Sequence, residues 1–391
     1  SDAWRLPAWP RRRWGLVALG AGLVLAGFLV LGAWPPLRVM PLWGVAAAAM
    51  LLVVWGARRR PGLRALVPVL LLVELWFGWR AFALQHATAP EAYSDLRIAP
   101  AHLLAARGQP GEGRLLSLSD LTWDPGDLAS LELRHAALLG EQARYDLVVA
   151  TKLKEVLAPN QPMRWGLATA DGYGGGLLPT ARWVAFQPVL PLAKIVPDGR
   201  LREQLTGLPS PALLDVMGVE WIVADKVLDW WQRDIYHDLG APLALDPSEE
   251  VSWSPPIDEA TALSFVIFGA WPEEPGTVTV AGRALDLRDA EPGEVRETPR
   301  GQEQHFWLPF PEPLAASRVT LQAGTAWRLG GLSLIDERLP GFVPLPADPA
   351  VRTTSSGDVK VYRRQGSPGR AWLVPAARAV ESVGAAAQAV S

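Results

Sequence analysis

Cysteine does not occur in the 391 residues, so disulfide staples, thiolate metal sites and a cysteine nucleophile are excluded, while an oxidising compartment stays permitted. Neither sign of charge is in excess: 37 Lys and Arg face 40 Asp and Glu, a formal net charge of -3. Without a basic surplus the chain has no electrostatic footprint for nucleic acid, and that partner class drops out. Histidine is scarce, and His86, His102, His135, His237 and His305 fall into neither HExxH nor HxH spacing, so no metal and no cofactor is indicated. The GxSxG elbow, the Walker loop and GxGxxG are also missing, which removes the motifs of hydrolase-elbow, nucleotide-phosphate and dinucleotide chemistry. No repeat of fixed period is visible.

What is present is hydrophobicity and tryptophan. Hydrophobic residues make up 49% of the chain, and 19 Trp stand against 5 Tyr and 9 Phe. Tryptophan suits membrane interfaces and sugar-binding surfaces as well as cores. Residues 14–34 carry no charge, 39–55 form a second apolar run near the lower length limit, and 65–82 a third, with Glu74 as the internal charge before Arg80. Each run reads as a transmembrane helix. The length of the first, its lack of a clear small-residue cleavage site and the two runs that follow disfavour a signal peptide. Arg11–Arg13 and the arginines between the second and third runs mark cytoplasmic ends, which sends everything after His86 outside the cytoplasm. Ala18, Gly22 and Ala26 make a small-residue stripe, a face that other membrane helices or subunits could share. Glu74 near mid-membrane reads either as a contact to a lipid headgroup or basic group, or as a structural bond to another helix.

The expected fold is therefore a membrane α-helical region over residues 1–86, followed by three further parts. Residues 91–250 mix short strands with helical stretches, as in an extracytoplasmic α/β domain. Residues 251–340 change to period two, with 263–268 and 277–280 as strands and a hairpin link at Ala281–Gly282, the pattern of a β-sandwich of jelly-roll type. Residues 341–391 supply strands at 359–363 and 371–374 that return to the α/β domain. Candidate contacts are few. Gly172–Gly176 could cradle an anion but more commonly forms a structural loop, and Asp171 before it reads as a base or as a turn carboxylate. Trp230 and Trp231, beside Gln232 and Arg233, could stack on a sugar, rest on a membrane interface or fill a core.

Several segments together resemble the YfhO family of bacterial multispanning membrane proteins, which are similar to GT-C-type glycosyltransferases. They are 73–80 (VELWFGWR); Pro159–Asn160 through Gly166 to Asp171-Gly172-Tyr173, with Arg182; 213–223 (LLDVMGVEWIV); and Val361-Tyr362-Arg363 leading to 369–374 (GRAWLV). The resemblance implies a longer protein with more N-terminal helices and an acidic external loop that serves as base. On that reading this chain is a C-terminal fragment in the bacterial plasma membrane. Its catalytic residues lie elsewhere, and it would act on a polyprenyl-phosphate-linked sugar and a cell-envelope acceptor glycan. Contacts to ligand, lipid bilayer or partner would come from Glu74, Arg80, Asp171, Tyr173, Arg182, Trp230 and Trp231. The alternative is a non-catalytic structural or accessory subunit of a larger membrane complex.

Overall fold

A computed structural model describes residues 40–81, 88–106, 113–119, 121–172, 180–195, 201–339, 341–369, 379–382 and 385–386. The chain divides into two compact units, Ser1–Ala87 and Thr88–Ser391. In the first, helix α1 (Met40–Arg59) meets a 3-10 turn at Pro61–Ala65, where Pro61 and Gly62 interrupt the helix, and α2 (Leu66–Ala81) follows. This overturns the expectation of a membrane α-helical fold with transmembrane helices. Among the described residues no helix is long and apolar enough to cross a membrane. The reason lies in length: α2 has 16 residues, about 24 Å at 1.5 Å per residue, against a hydrocarbon core of about 30 Å. In α1, Pro41 and the terminal Arg58 and Arg59 leave a similarly short apolar stretch at 42–57. The expected helix at 14–34 lies outside the described residues. Strand also outweighs helix, 34% against 29%, because the described part of the second unit holds sixteen strands beside a few mostly short helices.

The second unit begins with the short helix α3 (Glu91–Ser94) and α4 (Ile98–Ala106), then β1 (Arg114–Ser117), α5 (Leu128–His135), α6 (Glu141–Glu155), α7 (Ala181–Phe186), α8 (Pro211–Met217) and β2 (Val219–Ala224). Proline opens α8 and Gly218 closes it in the left-handed region (φ 65°), the arrangement that stops a helix sharply and turns it into a strand. β1 and β2 are parallel, and the chain returns much later as β15 (Val351–Ser356) and β16 (Lys360–Arg364) to complete a four-stranded sheet in the order β1-β2-β16-β15. All six residues of β2 are buried, since both faces of the sheet are covered. Trp221 and Val223 pack with Leu103, Leu115 and Val361 on one face. Ile222 and Ala224 pack with Leu213, Leu214 and Tyr362 on the other.

Between β2 and β15 the chain builds two stacked sheets. β3 (Trp230–Gln232) and β4 (Ile235–His237) form a hairpin. β5 (Leu243–Leu245) and β14 (Phe342–Pro346) share the edge of β13 (Trp327–Ile335), and the order β10-β11-β7-β13-β14 runs through β10 (Glu291–Thr298), β11 (Gly301–Ala315) and β7 (Glu259–Phe268). The facing sheet is β6-β12-β8-β9, made of β6 (Glu250–Trp253), β12 (Val319–Ala323), β8 (Gly276–Val280) and β9 (Arg283–Asp286). The runs at 263–268 and 277–280 lie on β7 and β8, and the Ala281–Gly282 link turns β8 into β9. Leu263, Phe265 and Ile267 of β7 enter the core between the sheets with Val278, Phe306 and Leu332. Ala262, Val266 and Phe268 on its other side pack beneath β3 and β4, with Trp230, Ile235 and Leu239. Cover on both faces explains why every residue of β7 from Ala262 to Phe268 is buried, Ser264 included.

Gly276 shows how tightly the two-sheet body is built. Its φ is +104°, and a Cβ there would lie 2.0 Å from the carbonyl oxygen of Gln322 on β12. Gly276→Ala therefore combines backbone strain with a clash against main chain and should cost about 2–4 kcal/mol. Urea unfolding measures this; an unchanged midpoint would show that the β8–β12 pairing is looser than described.

Candidate functional site

The four strands β1, β2, β15 and β16 meet the two-sheet body through a buried charge cluster. Strand period two puts Lys360 and Tyr362 on one face of β16. That face looks toward the residues that flank the hairpin, Asp229 before it and Asp238 after it. The Lys360 ammonium donates to Asp229 at 2.7 Å and to Asp238 at 2.6 Å, and the Tyr362 hydroxyl donates to Asp238 at 2.5 Å. The side chains of Lys360, Asp229 and Asp238 are 1%, 4% and 4% exposed, so this is an interior cluster and not a cleft. Tyr236 donates its hydroxyl to Asp229 Oδ2, the backbone amides of Leu239 and Gly240 donate to Oδ1 of Asp229 and of Asp238, and the Thr353 hydroxyl reaches Asp238 Oδ2 at 3.4 Å. Against the opposing effect of burial, Asp238 and Asp229 hold the ammonium above its ordinary value. Burial pushes Asp229 up more than Lys360 lowers it, so the second carboxylate keeps its proton more readily than a free one.

A second closed cluster lies beneath the hairpin. Ser264 on β7 sits between His237 on β4 and His305 on β11, with its hydroxyl 2.8 Å and 2.7 Å from the two Nε2 atoms. His237 Nδ1 faces the carbonyl of Trp230 at 3.3 Å and must donate to it. In the neutral ring Nε2 then accepts the Ser264 proton, and Ser264 accepts from His305 Nε2–H. Burial pushes His237 down to about 3, with His305 adding to the effect, and pushes His305 down to about 4, with Arg233 adding. Both rings and the serine are at most 1% exposed, so the arrangement holds β4, β7 and β11 together without reaching a substrate. Nearby, Glu303 takes Arg296 at 2.6 Å and Arg300 at 2.9 Å, and both arginines also donate to the Leu228 carbonyl.

A third cluster ties the start of the unit to the β15–β16 turn. Arg97 reaches Asp127 at 2.8 Å, Asp358 at 2.9 Å and Glu155 at 3.3 Å, while Glu155 accepts the amides of Ile98 and Ala99 that open α4. Burial raises the Glu155 carboxyl, chiefly opposed by the Ala99 amide and Arg97.

One open pocket stands apart from these interior groups. It lies at the outer edge of the four-stranded sheet and measures about 320 Å³. A short bridge from Leu115 to Thr169 extends the sheet there and brings in Thr169 and Ala170 beside Arg114. Thr180 caps α7, its hydroxyl oxygen accepting the Trp183 amide, and so starts the helix where Trp183 and Phe186, three residues apart, share one side. Their rings lie 6.0 Å apart at 34°. Val216 and Met217, at the end of α8, close the pocket.

Of the candidates from sequence, Asp171 is buried and accepts the backbone amides of Leu201 and Arg202 at 2.9 Å and 3.0 Å, so its carboxylate braces a loop. The two tryptophans part company. Trp230 is buried under the Arg296 guanidinium, 4.4 Å from the ring, whereas Trp231 is 62% exposed, with one edge against Tyr236 and Phe342. Glu74 and Arg80 fall on α2 and Arg182 on α7, but their side chains lie outside the described residues, as do Tyr173 and the strand expected at 371–374. The pocket brings none of the described side chains among these candidates together. Sequence reasoning passed over Lys360, which nothing in the basic strand 360–364 (KVYRR) singles out, and over Trp183, whose signal was the Thr180 cap. Comparison with protein-family models, with curated proteins and with solved structures finds no match in any of the three. The likeness to the YfhO family thus rests on the sequence segments alone.

Lys360→Met leaves two buried carboxylates facing each other and should cost about 3–5 kcal/mol, most of it recovered when Asp229→Asn and Asp238→Asn are added. Denaturant unfolding of the three proteins tests this, and equal losses in the single and triple variants would refute the coupling. The two histidines give a pH signature. Their folded values lie below the ordinary 6.5, so the unfolded chain binds more protons as pH falls. The stability they contribute is complete above about pH 6.5 and is lost as pH drops toward 4 and then 3. His305→Gln keeps a polar partner for Ser264 but does not titrate, and should reduce the stability loss between pH 7 and 4.5 by about 2 kcal/mol. Wild type and variant losing the same amount would exclude this.

Proposed function

We propose that this chain is a non-catalytic structural or accessory subunit of a larger assembly, docked through its helical unit. The observation that carries the reading is the apolar surface of α1 and α2: Val45, Leu51, Leu52 and Trp55 on the first, and Leu72 and Leu75 on the second, are each more than half exposed. A contiguous apolar face of that kind marks an interaction surface. In the Thr88–Ser391 unit, three groups of charged and polar side chains, around Lys360, Ser264 and Arg97, serve to hold strands and helices together. Small-residue positions such as Gly44 and Ala48 on α1 add a face on which a neighbouring helix can approach closely.

A second reading is favoured by the open pocket. Under the YfhO resemblance, the Thr88–Ser391 unit would be the recognition part of a glycosyltransferase acting on a polyprenyl-phosphate-linked sugar and a cell-envelope acceptor outside the cytoplasm, with catalytic residues in a segment other than this chain. The two readings differ in whether transfer activity accompanies the assembled protein.

Purified from its native cells under mild conditions, the chain should run as a complex of fixed stoichiometry by native mass measurement. Leu72→Glu combined with Leu75→Glu should release it as a monomer with unchanged circular dichroism. A wild-type chain recovered as a lone monomer would overturn the accessory reading.

A further inference from the structure

We infer that the pocket at the edge of the four-stranded sheet is a binding site for a carboxylated sugar ring, with Arg114 as its anion-binding group and Trp183 and Phe186 as its floor. The inference does not depend on the docking of the helical unit, because it is drawn from different residues and tested by a different measurement.

The guanidinium supplies the first argument. Arg97, Arg202, Arg296, Arg300, Arg363 and Arg364 each have a carboxylate within 4 Å. Arg114, which lines the pocket, has none among the described residues; its Nη1 donates to the Met217 carbonyl at 2.7 Å. That one bond, together with the pairing of its own backbone with Gly218, holds the side chain in place before any ligand arrives. A planar fork fixed in this way matches a carboxylate in two parallel hydrogen bonds, and its pre-organisation lowers the entropy lost on binding.

The floor supplies the second. Trp183 and Phe186 are neither buried nor fully exposed, and their tilted rings line a cavity at the small end of the usual ligand range of about 300–1,000 Å³. The volume limits an occupant to one or two rings. Aromatic faces of this kind receive the C–H face of a pyranose, while an open mouth lets the equatorial hydroxyls of the other face stay in water. The Thr169 hydroxyl, which donates to the Asp171 carbonyl at 2.5 Å, retains lone pairs to accept a sugar hydroxyl. A purely apolar ring would leave its outer face against solvent in so open a site, which is why a sugar acid fits better than an aromatic one.

Titration of the full chain with D-glucuronate, D-glucose and benzoate, followed by ligand-observed saturation-transfer NMR, tests the assignment. Glucuronate should bind at least about tenfold more tightly than glucose, the difference expected for one charge-assisted pair. Arg114→Gln should erase that preference and leave weak binding of both sugars. Arg114→Lys should restore part of it as a point charge without the fork. Trp183→Ala should abolish binding of both sugars, with circular dichroism confirming that each variant is folded. Equal affinity for glucose and glucuronate would overturn the role of Arg114. Benzoate binding more tightly than glucuronate would overturn the sugar assignment, and no saturation by any of the three would overturn the site itself.

Discussion

The Lys360 ammonium, fixed between Asp229 and Asp238, is the interaction on which the second unit depends. Its strand belongs to the four-stranded sheet and its two carboxylates belong to the segment that enters the two-sheet body. A charge so deep in protein is tolerated because both carboxylates, two tyrosine hydroxyls and two backbone amides surround it. The cluster lies where Lys360, on the second returning strand, pairs with Ala224, the residue at which the chain left the first sheet. A mispaired return strand would leave the carboxylates without their counter-charge, so the cluster acts as a check on register as well as a tie.

The same logic runs through the other interior groups. Glu155 answers both Arg97 and the amides at the start of α4, Glu303 answers two arginines, and Ser264 relays a single proton direction between two neutral imidazoles. In each case a polar group is buried only with its partners, which is the condition for burial to be affordable in a low-dielectric interior. These groups resemble catalytic sets by composition and differ from them by access. Arg114 differs in its setting: it lines an open pocket beside Trp183 and Phe186, with Nη1 tied to the Met217 carbonyl.

Function divides along the same line. The apolar helices of the first unit ask for a covering surface, and the pocket of the second unit asks for a small, ring-shaped, negatively charged ligand. An accessory subunit that carries a recognition site would use both. A transferase fragment would use the second for substrate and the first for the remainder of the enzyme.

What the sequence alone determined was local. Alternation placed the strands at 263–268 and 277–280, and the Ala281–Gly282 link placed a turn, since each of these depends on neighbours within a few residues. Apolar run length misled at 39–55 and 65–82, where no described helix is long and apolar enough to cross a membrane. Hydrophobicity states that a segment avoids water and does not state what covers it. Only the tertiary structure decided that Trp230 is buried while Trp231 is exposed, that Asp171 braces a loop, and that Lys360 meets carboxylates more than a hundred residues away. Those outcomes come from pairing between distant strands, and the energy that sets them, burial of charge with its partner, has no trace in the spacing of residues along the chain.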